Sequence, residues 1–183
     1  MENIFRTAGR VLSRIKLFDI AMSCAGIWAA YLLGMYVTGS FHSSSRWMGA
    51  MLACTSVVAV QQKGSYRESL KAGLSRVSGT LIGAVVAYVY LLFFPFTEAG
   101  MMAAVVVLEM MLMMCGMYAN GQMAVVTLLI IMLVSKQSPD ASPALNAMLR
   151  FCESAVGSGV GVALLWVVER WNNRRNNRRN NHD

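Results

Sequence analysis

Four charged side chains stand inside, or at the ends of, long apolar runs. Glu109 is embedded in MMAAVVVLEMMLMMCGM, with no other charge nearby. A carboxylate deep in apolar surroundings costs several kcal/mol unless it is protonated, paired or facing water. Glu109 is therefore a candidate proton-coupling group, the alternative being a permanently protonated acid bonded between helices. Arg76 and Arg150 each open an apolar run. A guanidinium grips a carboxylate through two parallel hydrogen bonds, which fits both arginines for contact with a passing organic acid. Arg76 has a plainer alternative as an anchor at the membrane edge. Glu153 follows Arg150 by one helical turn, and is either a second proton-coupling carboxylate or the group that neutralises Arg150.

Other chemistry finds little support. Cys24, Cys54, Cys115 and Cys152 all fall in apolar stretches without metal-ligand spacing, so they read as free buried thiols. Met110, Met113, Met114 and Met117 could offer soft ligands to Cu(I), but no second Met or His cluster exists to load a metal. Adaptable packing is the better use, and no metal or cofactor is expected. The two histidines, His42 and His182, sit in no nucleophile motif, and no phosphate-binding glycine loop occurs. No catalytic residues are expected, and the chain is read as not an enzyme.

The elements that must position these residues follow from composition. The chain has 183 residues, 56% hydrophobic and 14% charged, with a mean hydropathy of +0.50. Soluble domains run about 45–50% apolar and about 25% charged, and one this small has too much surface to hide the excess. Lipid is the solvent that remains. Sixteen Lys and Arg against nine Asp and Glu give a net charge of +7, which points to loops facing anionic lipid rather than to nucleic acid.

Residues 1–16 place Ile4, Ala8, Val11, Leu12 and Ile15 on one helical face and Arg6, Arg10 and Arg14 on another, as in a helix lying in the interface. No cleavable leader is evident. Residues 17–171 form the expected membrane domain. Its apolar runs lie near 18–37, 47–61, 77–96, 100–118, 122–135 and 147–168, with a basic loop over 62–76. Residues 172–183, low-complexity and basic, read as a disordered, solvated arm. The N-terminus, the 62–76 loop and the tail hold most Lys and Arg, so both termini are expected in the cytoplasm.

A shift of 74 positions lays the first three runs on the last three. Arg76, Gly79, Gly83 and Ala87 fall on Arg150, Glu153, Gly157 and Gly161. The spacings Gly79/Gly83 and Gly157/Gly161 each allow close helix contact in lipid. A repeat of three spans inverts the second half, a plan that transporters use to build a site near the midplane. The second and fifth runs, at about 15 and 14 residues, are shorter than the ~20 that cross a bilayer, as pathway segments often are. The fold class is all-α: a polytopic membrane protein of six transmembrane helices in a 3+3 inverted repeat, led by an amphipathic helix.

Six spans, the basic lead-in and R-x-x-G-T-x-x-G (Arg76, Gly79, Thr80, Gly83) resemble the fusaric-acid-resistance and aromatic-acid-exporter superfamily, which includes the aluminium-activated malate channels. The resemblance implies efflux or permeation of small organic anions such as aromatic carboxylic acids. It also implies a homodimer, since many relatives carry two such modules. The expected setting is a bacterial inner membrane. The rival is a membrane scaffold or regulatory subunit that transports nothing.

Overall fold

The computed structural model describes residues 17–41, 46–62, 65–137 and 142–180. The amphipathic segment expected over residues 1–16 lies outside them. Six helices occupy the described residues, without a strand among them: α1 (Leu17–Phe41), α2 (Arg46–Gln61), α3 (Tyr66–Phe93), α4 (Glu98–Met114), α5 (Tyr118–Gln137) and α6 (Pro143–Asn180). Three contain stretches long and apolar enough to cross a membrane: Ile20–Ser40, Tyr66–Phe93 and Pro143–Trp171. The 16 residues of α2 rise only about 24 Å, short of a ~30 Å hydrocarbon core. Large apolar side chains such as Trp28, Leu33, Val106 and Met114 face outward, a surface that suits lipid and would drive aggregation in water.

Local chemistry moves three expected boundaries. The basic loop over 62–76 is mostly helix: α3 begins at Tyr66, with Glu68 in its first turn, where a negative charge meets the helix dipole. Tyr66, Ser69, Leu70, Gly73, Leu74 and Val77 continue a helical stripe through the charges, and Ser69 and Gly73 are buried. At the other end, α4 stops at Met114 instead of running on to Tyr118. Gly116 adopts φ +66°, its N–H donates to Met113 O and the Met117 N–H to Leu112 O. This closing pattern needs the left-handed conformation that glycine adopts without steric cost. Finally, residues 172–180, expected as a disordered arm, extend α6 to Asn180. Arginine is a good helix former, and no Gly or Pro interrupts WNNRRNNRRN.

The helices pack as two interlocked halves. α3 and α6 run antiparallel: Gly73 faces Ser158 and Val162, while Thr80 meets Ser154. The closest associations join α1 to α2, α3 to α5, α3 to α6 and α2 to α6. The shift of 74 exchanges α2 with α5 and α3 with α6, and so turns the α2–α6 crossing into the α5–α3 crossing. The glycines make these crossings tight. A Cβ on Gly83 would overlap Ala124 O on α5, and one on Gly157 would overlap Ala53 O on α2. Gly161 packs on Val57 and Val60, and Gly79 is buried within α3.

A further stripe escaped the sequence reading. Gly26, Ala30, Gly34 and Thr38 are all buried along one face of α1. Four small residues at steps of four are a stronger packing signal than either glycine pair.

Candidate functional site

Arg76 is the eleventh residue of α3 and Arg150 the eighth of α6, so neither stands at a helix mouth. The antiparallel crossing brings both to one small cavity of about 30 Å³. Eight of its ten lining residues form pairs related by 74 positions: Leu52 and Val126, Ser56 and Ile130, Arg76 and Arg150, Thr80 and Ser154; Met123 and Thr127 complete it. The Thr80–Ser154 pair forms a hydrogen bond of 3.1 Å between α3 and α6.

The two arginines live differently. Arg150 is 2% exposed. Its Nη1 lies 2.8 Å from Glu153 Oε2, and its Nε donates to Asn146 Oδ1 at 3.2 Å. The carboxylate is held from the other side by Thr38 Oγ1, which donates to Glu153 Oε1. Gly49 makes room for this arrangement, since a Cβ there would overlap both Thr38 Oγ1 and Glu153 Oε1. The Arg150–Glu153 contact is close but poorly aligned for hydrogen bonding, and Nη2 has no hydrogen-bond partner among the described residues.

Arg76 is partly buried and has no carboxylate in contact among the described residues. Its Nε donates to Ser56 Oγ at 2.8 Å, Nη2 to Thr55 Oγ1 at 3.2 Å, and Nη1 points at Met123 Sδ at 3.0 Å. Met123 is the repeat partner of Gly49, and Gly79 is the repeat partner of Glu153. Around Arg150 there is therefore an acid, with room made for it by Gly49 of the other half, while around Arg76 the matching positions supply a thioether and no acid. Two guanidinium charges and one carboxylate leave this region with a net positive charge. Thr38, Gly49, Met123 and Asn146 went unnoticed in the sequence. The signal was present in the positions where the two halves disagree.

Glu109 is not brought to this cavity. It is exposed on α4 and lines a separate groove of about 560 Å³ with Leu112, Gly121, Gln122 and Val125. Its spacing placed it within an apolar run, but only the packing of α4 on α5 decides which way it faces. Among the described residues, no group of His, Cys, Asp and Glu could hold a metal.

An all-α architecture with lipid-suited surfaces, glycine-tight crossings and one fully and one partly buried arginine at a shared cavity fits a polytopic membrane protein. The sequence profile of the fusaric acid resistance protein-like family matches residues 24–164, and the chain belongs to that family of membrane transport and resistance proteins. No curated protein and no solved structure matches it.

Proposed function

We propose that this chain is a transporter, not an enzyme, that moves small organic anions such as aromatic carboxylic acids out across a bacterial inner membrane. In this reading it works as a homodimer with both termini in the cytoplasm. Its two halves form a 3+3 inverted repeat, supported by the matched cavity lining and the Thr80–Ser154 contact. The observation that carries the proposal is the meeting of Arg76 and Arg150 at one cavity, with a single carboxylate, Glu153, held beside Arg150. A scaffold needs no uncompensated guanidinium in its interior, and that favours transport over the rival role.

The cavity has room for about one or two waters, so an organic acid requires α3 and α6 to part. When they do, the cargo carboxylate meets Arg76 first, because no acid competes there. Glu153 acts as a stand-in anion on Arg150. A proton on Glu153 removes that counter-charge and frees Arg150 for the second oxygen of the cargo. Cargo binding then follows protonation, so uptake rises as pH falls. Glu109, in its own groove, stands outside this exchange.

Radiolabelled benzoate uptake into proteoliposomes with an imposed pH gradient tests this reading. Arg76→Lys and Arg150→Lys should each slow uptake about tenfold or more, the value of one charge-assisted, two-pronged contact. Glu153→Gln should flatten the pH dependence while leaving the protein folded, and Glu109→Gln should leave it unchanged. Parental rates and pH dependence in all four variants would make these residues structural and sink the mechanism.

A further inference from the structure

A second feature lies apart from the arginine cavity, toward the end of the bundle where α3 begins and α6 leaves the apolar region. Between these helices runs an open cleft of about 500 Å³, walled by Leu70, Leu74, Val77, Val162, Ala163 and Trp166. It continues through Tyr66 and Trp166 into a second hollow of about 400 Å³, bordered by Glu169, Arg170, Asn173 and Arg174. One continuous groove is thus apolar along its length and basic at its mouth, with an aromatic pair at the junction. Tyr and Trp favour the level of lipid headgroups, which puts the apolar part at acyl-chain depth and the arginines at phosphate depth. Arg170 also stacks over the Trp166 ring at 5.6 Å. Inside the cleft, Ser158 is 3% exposed, and its Oγ has no hydrogen-bond partner among the described residues. Gly159 faces open space, where a Cβ would meet nothing within 4 Å.

We infer that this groove seats an anionic phospholipid of the surrounding bilayer, one acyl chain in the α3–α6 cleft and the phosphate between Arg170 and Arg174. The choice of occupant rests on charge and depth together. A neutral lipid would leave the arginines without purpose, and a soluble anion would leave an apolar cleft of this length unfilled. Glu169 at the mouth repels a phosphate, so the site selects by the surplus of two guanidinium groups over one carboxylate. Because α3 and α6 also carry Arg76 and Arg150, a lipid wedged between them would bear on their separation.

Trp166 reports directly on the cleft. The full chain is prepared with Trp28→Phe, Trp47→Phe and Trp171→Phe, so that Trp166 is the remaining tryptophan and is excited selectively over tyrosine, and is reconstituted in phosphatidylcholine vesicles. Phosphatidylglycerol with brominated acyl chains is then titrated in, against brominated phosphatidylcholine as the control. The expected result is quenching by the brominated phosphatidylglycerol at low mole fraction, well before the control. Arg170→Gln with Arg174→Gln should shift that titration by about 30-fold, the worth of two basic residues near an anionic surface. Gly159→Leu, which fills the cleft from an unobstructed position, should abolish the preference with both arginines intact. Equal quenching by the two lipids, or a preference that survives both variants, overturns the inference. Relief of quenching by inorganic phosphate alone, without bromolipid preference, assigns the mouth to soluble anions and also overturns it. None of these readouts depends on transport, so they stand or fall separately from the proposed function.

Discussion

Arg76 and Arg150 lie 74 positions apart and line the same cavity, yet among the described residues only Arg150 has a carboxylate for company. Around Arg150 the second half supplies Glu153, and the first half yields space through Gly49 and a hydroxyl through Thr38. Around Arg76 the corresponding positions hold Gly79, Met123 and Leu112, so the guanidinium rests on two hydroxyls and a sulfur. The outer helices repeat the contrast. The buried stripe of α1 is Gly26, Ala30, Gly34 and Thr38, while the matching stripe of α4 is Gly100, Ala104, Leu108 and Leu112. Small residues let α1 press against α2 and α6, and bulkier ones hold α4 off. The lesson is that two similar glycine-tight crossings can set two arginines in different surroundings, because the side chains around them differ. One arginine is kept neutralised and the other is kept available.

The sharpest way to break that contrast is to remove the acid. Glu153→Leu leaves Arg150 buried without a counter-charge and should cost about 3–5 kcal/mol. Arg76→Leu leaves no charge behind, so it should cost far less. Denaturant titration of the two variants in the same detergent would show the gap, and equal losses would dissolve the distinction.

Next come the crossings that both halves share. Gly83→Ala and Gly157→Ala each force a Cβ into the carbonyl of a facing helix, and each should cost up to about 3 kcal/mol. If the halves are equivalent in packing, the two losses will agree closely. Thermal unfolding midpoints would reveal any asymmetry.

A swap sharpens the comparison further. Gly79→Glu gives Arg76 the carboxylate that Arg150 already has, but Met123 occupies the room that Gly49 leaves in the other half. The single variant should therefore be less stable by about 1–2 kcal/mol than the double variant Gly79→Glu with Met123→Gly. The double variant should fold, carry two ion pairs and lose anion uptake. Retained uptake in a folded double variant would show that an unpaired Arg76 is not required.

The smallest effect belongs to the surface. Lys136 meets Glu98 at 3.0 Å, linking α5 to the start of α4 where both side chains are largely exposed. Glu98→Gln should change stability by less than about 1 kcal/mol, and salt should erase even that. A larger loss would mean that α4 hangs on this pair rather than on Ala104, Leu108 and Leu112.

Much of this protein is one-dimensional information. Apolar run length and small residues at steps of four depend only on near neighbours along the chain, and they were enough to read an all-helical chain suited to lipid. Helix ends were less legible, because they turn on local details such as the left-handed Gly116 and the stripe from Tyr66 to Val77 that passes beneath charged residues. Of the site, Arg76, Arg150 and Glu153 could be picked out along the chain, but not Thr38, Gly49, Met123 or Asn146, nor the place where they meet. Arg76 and Arg150 are named by their position before glycines, and read along the chain they belong at opposite faces of a membrane. Their meeting at one cavity follows from the antiparallel crossing of α3 and α6, a long-range contact that no spacing rule encodes. The same holds for Glu109, whose outward aim is set by how α4 lies on α5. Pairing between charges is a property of distance and burial, and distance between residues 74 positions apart exists only once the chain has folded.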